Sequence, residues 1–314
     1  MTSIDVQDLT KEYGGRRAVD HLTFRVLPGR VTGFLGPNGA GKSTTMRLLL
    51  GLDRPTSGSA RIGGRAYATL HRPLRSVGAL LDARAAHGSR TARDHLRALA
   101  ASNRLPGRRV DEVLDQAGLA SVARHRVKTY SLGMRQRLGI AAALLGDPPV
   151  VLLDEPSNGL DPEGIIWIRE LMRELAREGR TVLVSSHLMN ETASFADHLV
   201  VLGRGRLLAD TSLREFIDAR VRPRVRVRTT EGAAVLGDLL ARHGIESVRG
   251  EDGRWTALGA RVEDIGRLAA AVNLPILELA AEEATLEEAY LDLTTNETEF
   301  AGTPAPTRPQ EARP

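Results

Sequence analysis

Residues 36–44 have the residue types and the spacing of a phosphate-binding loop. Gly36, Gly41, Lys42 and Ser43 fit the pattern Gly-x-x-x-x-Gly-Lys-Ser/Thr between a strand-like apolar run and a helical segment. Glycines let the backbone wrap a polyphosphate closely, so that successive N–H groups point at its oxygens. Lys42 is placed to reach the β- and γ-phosphates, and Ser43 is placed to ligate Mg²⁺. The predicted nucleoside triphosphate site comprises Gly36, Pro37, Asn38, Gly39, Ala40, Gly41, Lys42, Ser43 and Thr44.

The choice of lysine at position 42 supports this interpretation. Lys11, Lys42 and Lys128 are the only lysines among 43 basic residues, so arginine supplies positive charge almost everywhere else. A compact ammonium fits inside such a loop, whereas a planar guanidinium does not. The alternative, an ordinary glycine-rich connection between a strand and a helix, explains the spacing less well.

Two adjacent carboxylates, Asp154 and Glu155, follow the apolar run Val150–Leu153. A continuous apolar run of this kind is typical of a central parallel strand that is covered on both faces. An aspartate at its end can hold Mg²⁺, and the neighbouring glutamate can polarise a water for attack on a γ-phosphate. The alternative is a solvated turn, which the buried character of the preceding strand disfavours. The pair predicts hydrolysis of the bound triphosphate.

Composition and charge limit the classes of protein to which this chain can belong. The 314 residues are 42% apolar, which is enough for one large or two modest globular domains. Cysteine does not occur, so neither disulfides nor thiolate metal sites are expected. No apolar run approaches the length of about 18 residues that spans a bilayer, and the N-terminal residues predict a strand instead of a secretory signal. The net charge of +4 permits contact with lipid or nucleic acid without arguing for either.

Apolar strands alternate with helices over most of the chain, which predicts a doubly wound parallel α/β sheet. In such sheets ligands bind at the carboxyl ends of the strands, where both the loop and the carboxylates lie. A helical, more polar insertion is expected at about 82–146. Predicted strands are 4–9, 22–26, 31–35, 60–62, 150–153, 181–185, 198–202 and 206–209, and predicted helices are 91–102, 110–117, 132–145, 165–178 and 188–196.

A small α+β extension is expected at 219–298, followed by a disordered tail at 299–314 that is rich in proline. Arginines alternate with other residues between Arg220 and Arg228, which predicts a strand with one arginine face. We interpret this face as a solvated edge strand, with lipid headgroups as the alternative contact. An apolar helix around 286–293 is expected to pack on the core or on a second copy.

Residues 130–137, Tyr-Ser-Leu-Gly-Met-Arg-Gln-Arg, precede the Asp154 strand and resemble the signature sequence of ATP-binding cassette (ABC) ATPases. Residues 158–161, Asn-Gly-Leu-Asp, resemble the D-loop of that family, and His187 resembles its switch histidine. The motifs occur in the family's order over residues 1–210. The Ser-Leu-Gly-Met variant is similar to that of bacterial drug, bacitracin and daunorubicin-type exporters.

The resemblance implies an ATPase domain at 1–218 with a RecA-like core, an antiparallel β subdomain and a helical subdomain. It implies that Tyr13 stacks on adenine, that Asp154 and Ser43 hold Mg²⁺, and that Glu155 is the general base. His187 would contact the γ-phosphate. Two copies would sandwich two ATP molecules, with Ser131 and Gly133 of each copy serving the other's ATP and Asp161 lining the seam.

Two departures from the family pattern stand out. Leu132 and Met134 stand where the common signature has a glycine and a glutamine, whereas the serine and the other glycine of the signature are kept as Ser131 and Gly133. At the position where the family has the glutamine of its Q-loop, this chain has Asp82. Its carboxylate could still contact Mg²⁺ or a water bound to Mg²⁺.

The resemblance implies an ATPase subunit of an exporter, acting with a separate multi-span permease at the cytoplasmic face of the membrane. Residues 82–96 correspond to the segment that binds the membrane subunits in this family, so we expect them to contact the permease. The alternatives are a soluble ABC-type switch on ribosomes or nucleic acid, and an importer ATPase. Nucleic acid is not expected as a partner, because ABC-type switches of that class usually carry two cassettes in one chain and each motif occurs only once here. A GTPase is disfavoured because no guanine-reading Asn-Lys-x-Asp follows.

Overall fold

The computed structural model describes residues 2–230, 233–250 and 252–294. In chain order the strands are β1 (Ile4–Tyr13), β2 (Arg16–Val26), β3 (Arg30–Leu35), β4 (Ser57–Ile62), β5 (Val77–Leu80), β6 (Val150–Asp154), β7 (Thr181–Ser186), β8 (His198–Gly203), β9 (Arg206–Ser212), β10 (Arg224–Thr229), β11 (Ser247–Arg249), β12 (Trp255–Leu258) and β13 (Ile276–Glu282). The helices are α1 (Lys42–Leu49), α2 (Pro73–Ser76), α3 (Ala92–Ser102), α4 (Arg108–Gln116), α5 (Leu132–Leu144), α6 (Pro162–Arg177), α7 (Met189–Phe195), α8 (Leu213–Asp218), α9 (Ala233–Arg242), α10 (Val262–Ala271) and α11 (Leu286–Thr294).

The central sheet has the strand order β5-β6-β7-β3-β8-β9. Its first five strands are parallel, and β9 pairs antiparallel with β8. Alternate residues of β6 enter the two hydrophobic cores on opposite faces, Val151 and Leu153 on one side and Val150 and Leu152 on the other. Burial on both faces explains the uninterrupted apolar runs, and the predicted α/β class is confirmed.

A second, antiparallel sheet with the order β2-β1-β4 covers one face of the central sheet together with α1. Phe24 of β2 and Phe34 of β3 pack ring against ring, with centroids 5.6 Å apart. This contact joins the antiparallel sheet to the central sheet.

The helices α3, α4 and α5 lie between β5 and β6 in the chain and form the predicted helical insertion. Thr91 caps α3, since its side chain accepts a hydrogen bond from the Asp94 N–H at 3.0 Å. Ser131 caps α5 in the same way. The caps therefore fix where both helices begin.

The C-terminal extension is a β-α-β-β-α-β unit whose sheet has the order β11-β12-β10-β13, all antiparallel. This is the ferredoxin-like arrangement. Val225 and Val227 of β10 are buried in a separate core with residues of α9 and α10. The predicted edge strand is wrong, because β10 lies between β12 and β13 and begins only at Arg224, after Pro223.

The helix α11 packs on α7 and α8. Leu286, Ala289 and Tyr290 enter the same hydrophobic core as Phe216 of α8, so α11 packs on the core that also covers one face of the central sheet. Burial raises the pKa of Tyr290 to about 12. The predicted tail at 299–314 lies outside the described residues.

Candidate functional site

The loop between β3 and α1 has backbone torsions that suit a polyphosphate. Gly39 and Gly41 have φ values of 83° and 102°, which L-residues with side chains rarely adopt. A Cβ atom on Gly41 would lie 2.5 Å from the carbonyl oxygen of Ala18 in β2. Glycine is required at this position because of both the torsion and the close approach.

The Lys42 side chain lies within this loop and is only 7% exposed. Its Nζ atom donates hydrogen bonds to the carbonyl oxygens of Gly36 at 2.6 Å and Pro37 at 3.3 Å. Burial lowers the pKa of Lys42, while the charges of Glu155 and Asp154 act in the opposite direction. The ammonium is therefore held where it can face phosphate oxygens.

Asp154, at the end of β6, is joined to the loop and to β7. Its Oδ2 atom accepts a hydrogen bond from the Ser43 hydroxyl at 2.8 Å. Its Oδ1 atom accepts one from the hydroxyl of Ser185, which is fully buried in β7. A hydroxyl and a carboxylate thus converge at one edge of the sheet, as hard oxygen donors for a cation would.

Glu155 has φ of 49°, an uncommon conformation for a residue with a side chain. Its N–H donates to the Ser185 hydroxyl at 3.1 Å, and its carbonyl oxygen accepts from Gln136 Nε2 at 2.9 Å. Its Oε2 atom lies 2.8 Å from Nδ1 of His187. Backbone contacts from both sides hold this turn, and the turn directs the carboxylate away from the strand.

Tyr13 ends β1 with its side chain 48% exposed. Its hydroxyl donates to Asp53 Oδ2 at 3.0 Å, and the Lys11 ammonium lies 4.7 Å from the ring centroid. Burial and the Asp53 carboxylate raise the pKa of Tyr13. The hydrogen bond of the hydroxyl therefore orients the Tyr13 ring, while much of the ring surface stays available for stacking.

A cavity of about 1080 Å³ brings most of the predicted residues together. It is lined by the loop from Pro37 to Thr44 and by Tyr13, Asp82, Asp154 and Glu155. Gly36, His187, Ser131, Gly133 and Asp161 are not among its lining residues. The residues predicted to stack on adenine and to bind phosphates therefore share one space with the two carboxylates, and this space has the size of a nucleotide site.

The segments at 131–133 and 158–161 pack against each other. A Cβ atom on Gly133 would lie 2.7 Å from the Gly159 carbonyl oxygen, and one on Gly159 would lie 2.5 Å from the Leu132 side chain. Asp161 caps α6, accepting from the Gly164 N–H at 2.9 Å. Ser131 accepts from the Met134 N–H at 3.2 Å and lies at an exposed helix start. These residues form one surface beside the cavity.

Sequence reasoning missed several site residues. Ser185 contacts the Asp154 carboxylate and Gln136 contacts the Glu155 backbone, from 31 and 19 residues away in the chain. No local pattern marks Ser185, and Gln136 belongs to the signature-like segment without its contact to Glu155 having been predicted. Their hydrogen bonds become visible only when β7 and α5 are placed beside β6. The cavity is also lined by Arg16, Arg17, Asn158 and Arg204.

Within the described ranges, no helix combines the length and the apolar character needed to cross a membrane.

Comparison with known proteins agrees with this geometry. Residues 19–158 match the family model described as ABC transporter, and residues 223–287 match one described as a domain of unknown function. The bacitracin transport ATP-binding protein BcrA of Bacillus licheniformis is 43% identical over 212 residues, covering 67% of this chain and 69% of that protein. An uncharacterized ABC transporter ATP-binding protein, YhcH of Bacillus subtilis, is 35% identical over 301 residues, covering 93% and 96% of the two chains.

A solved structure has a similar fold and 26% identity. It is the dimeric post-hydrolysis state of an ATP-binding cassette bound to ADP and Pi, with a TM-score of 0.61, and the match covers 67% of this chain and 99% of that one.

Proposed function

Because this chain belongs to the ATP-binding proteins of ABC transporters, we propose that it powers export through a separate membrane permease. The chain is an ATPase of that family. The observation that carries the proposal is the cavity in which the phosphate loop faces Asp154 and Glu155 across the end of the central sheet. The name of the bacitracin transport relative supports antibiotics as the class of cargo.

We propose the following residue roles from the positions of these residues in the family's motifs. The loop N–H groups and Lys42 bind the β- and γ-phosphates, and Tyr13 stacks on adenine. Glu155 accepts the proton of the water that attacks the γ-phosphorus, so that the O–P bond to ADP breaks as the new P–O bond forms. His187 holds the Glu155 carboxylate through Nδ1 and keeps Nε2 for the γ-phosphate.

The donor set around Ser43 and Asp154 fits Mg²⁺. Mg²⁺ in nucleotide sites takes one or two protein oxygens, with phosphates and water completing its shell. The described residues contain no cluster of three acidic or histidine side chains, and none is needed for such a site. Ser43 and Asp154 would hold the ion, and Asp82 lines the same cavity. When bound, it neutralises charge that develops on the phosphates.

Ser131, Gly133 and Asp161 support a dimer, because they lie together outside the chain's own nucleotide cavity, with Ser131 and Asp161 exposed and Gly133 half-buried. In a head-to-tail pair each copy would complete the other's site, with the Ser131 hydroxyl and the N-terminus of α5 facing the γ-phosphate. Gel filtration of the Glu155→Gln variant with ATP is expected to show a dimer, and Ser131→Arg in that background is expected to keep it monomeric. A monomer in both cases would contradict this arrangement.

We place the chain at the cytoplasmic face of the membrane, where a permease can hold it. We also keep the division into an ATPase domain at 1–218 and an extension at 219–298 as a proposal. The export of antibiotics is tested in source cells that carry Glu155→Gln, compared with cells that carry Glu163→Gln, an exposed carboxylate in the first turn of α6. Greater susceptibility to at least one antibiotic is expected for the first variant only. Equal susceptibility to every compound of the panel would contradict antibiotic export.

A further inference from the structure

Side chains from α5 and α6 meet at the C-terminal end of α4. The indole Nε1 of Trp167 in α6 donates to the carbonyl oxygen of Gln116 at 3.0 Å, and Nη1 of Arg137 in α5 donates to that of Ala117 at 3.2 Å. Gln116 is the last residue of α4, and Ala117 is its cap. The last carbonyl groups of a helix have no partner within the helix, and the helix dipole favours a cation beside them. Two carbonyl groups at the end of α4 are therefore bound by side chains of two other helices.

The two side chains that make these hydrogen bonds also contact each other. The Cζ atom of Arg137 lies 4.5 Å from the centroid of the Trp167 ring. A guanidinium is attracted by the negative face of an indole, and the attraction is stronger where water is excluded. Both side chains are half-buried, and Trp167 packs against the core to which α4 and α5 contribute. We call Arg137, Trp167 and the two α4 carbonyl groups the three-helix joint.

The Arg137 guanidinium also lies beside the first turn of α6. A Cβ atom on Gly164 would lie 3.4 Å from Nη2 of Arg137 and 2.8 Å from Oδ1 of Asp161, the residue that caps α6. Glycine therefore leaves room for both side chains at this turn. Arg137 itself is carried by the helix that Ser131 caps. One guanidinium thus connects the helix of the signature-like segment to the start of the helix that follows residues 158–161.

The three-helix joint lies outside the nucleotide cavity. Among the described residues that line this cavity, none belongs to α4 or α6, and Arg137 is not one of them. Leu132 and Gln136 of α5 do line it. A change at the joint therefore alters how α5 is held against its neighbours without removing any group that lines the cavity.

We propose that Arg137 and Trp167 are positioning residues that fix the start of α5 relative to residues 158–161, an inference that rests on the proposed function. In the head-to-tail dimer, both of these segments of one copy must meet the other copy at the same time. Their direct contact includes Gly133 and Gly159, and glycine leaves the backbone unusually free to change its torsions. The three-helix joint supplies the side-chain contacts that hold α5 and α6 behind this contact.

The test measures kcat for ATP hydrolysis and the equilibrium affinity for a fluorescent ATP analogue in variants of the full chain. Arg137→Gln removes the charge of the joint, and Trp167→Leu removes its ring. Both changes are expected to lower kcat by about 10- to 100-fold, the loss that a misplacement of about 1 Å caused by a distant mutation can produce. Affinity for the analogue is expected to stay near the wild-type value. Arg177→Gln is the matched control, because Arg177 is an exposed arginine at the other end of α6.

A double-mutant cycle distinguishes one shared role from two independent ones. Arg137→Gln combined with Trp167→Leu is expected to lower kcat no further than the worse single change, because each change alone breaks the same contact. Trp167→Phe keeps an aromatic face for the guanidinium and loses the indole N–H. Its kcat is expected to lie between those of Trp167→Leu and the wild type, and it provides a milder variant should the leucine variant fail to fold.

Three results would overturn the positioning role. They are a kcat that neither single change lowers, losses that multiply in the double variant, and a loss of ATP affinity as large as the loss of kcat. The last result would identify a general defect of the fold.

Gel filtration with ATP in the Glu155→Gln background separates this inference from the proposed function. Adding Arg137→Gln is expected to raise the protein concentration at which the dimer forms, whereas adding Arg177→Gln is expected to leave it unchanged. Equal dimerisation with and without Arg137→Gln would overturn the three-helix joint and leave the proposed dimer intact. If Glu155→Gln alone stays monomeric, the proposed dimer itself fails, and the role of the joint with it.

Discussion

Nδ1 of His187 lies 2.8 Å from Oε2 of Glu155, so the histidine that follows β7 and the carboxylate that follows β6 form a pair at the edge of the sheet. The pairing is a consequence of strand order, since β6 and β7 are parallel neighbours with Asp154 opposite Ser185. A general base needs a fixed orientation toward its water, and this contact supplies it.

Replacing Glu155 by glutamine is expected to lower kcat by about 10²- to 10⁴-fold, because the amide cannot accept the water's proton. Affinity for ATP is expected to stay near the wild-type value, since the phosphate loop is untouched. Steady-state hydrolysis and equilibrium binding of a fluorescent ATP analogue measure the two effects. The control is Glu163→Gln. A glutamine variant with near-normal turnover would remove Glu155 from the role of base.

Replacing Tyr13 by alanine is expected to weaken ATP binding by about 1–3 kcal/mol, the value of one base stacked on an aromatic ring. Tyr13→Phe keeps the ring and loses only the hydrogen bond to Asp53, so its affinity is expected to resemble that of the wild type. Titration calorimetry with ATP compares the three proteins. If phenylalanine weakens binding as much as alanine does, the hydroxyl matters and stacking does not.

Replacing Ser185 by alanine is expected to raise the Mg²⁺ concentration needed for half-maximal hydrolysis. The Ser185 hydroxyl contacts both Asp154 Oδ1 and the Glu155 N–H, so its removal frees the two carboxylates to turn. Ser186→Ala is the comparison, because the Ser186 hydroxyl contacts the Leu188 N–H and not Asp154. An unchanged Mg²⁺ dependence in Ser185→Ala would show that Asp154 is positioned by other contacts.

Asp20 is expected to stabilise the fold in a pH-dependent way. Its carboxylate, which is 8% exposed, accepts from Arg206 Nε at 2.7 Å and from Arg17 Nη1 at 2.8 Å. The Arg206 and Arg17 hydrogen bonds lower the pKa of Asp20 against the effect of burial. A lowered pKa means that the stabilisation is present above the unfolded value of about 3.9 and is lost as the pH falls through the folded value.

Urea unfolding tests this expectation with the Asp20→Asn variant. At pH 7 the variant is expected to be less stable by about 1.5–3 kcal/mol, the range for hydrogen bonds to charged groups. The difference is expected to shrink as the pH falls below the unfolded pKa. A difference that is the same at neutral and acidic pH would show that the Asp20 charge does not contribute.

The phosphate loop, the carboxylate pair and most strands of the central sheet could be predicted because each depends on a local pattern. Val150–Leu153 is apolar at every position, as expected of a strand that is covered on both faces. Contacts between distant segments could not be predicted in this way. The position of β10 inside its sheet depends on its pairing with β13, about 50 residues further on. The packing of α11 depends on its contact with α7, which is also distant in the chain. Ser185 and Gln136 were missed for the same reason.

The most direct test of the transport function is affinity purification of the tagged Glu155→Gln chain from gently solubilised source cells with ATP and Mg²⁺, followed by mass spectrometry. Loss of the base is expected to hold the dimer closed and keep its partner bound. A polytopic membrane protein is expected in an amount near that of the chain. Ribosomal proteins or nucleic acid without any membrane protein would contradict the transport function and leave the ATPase alone.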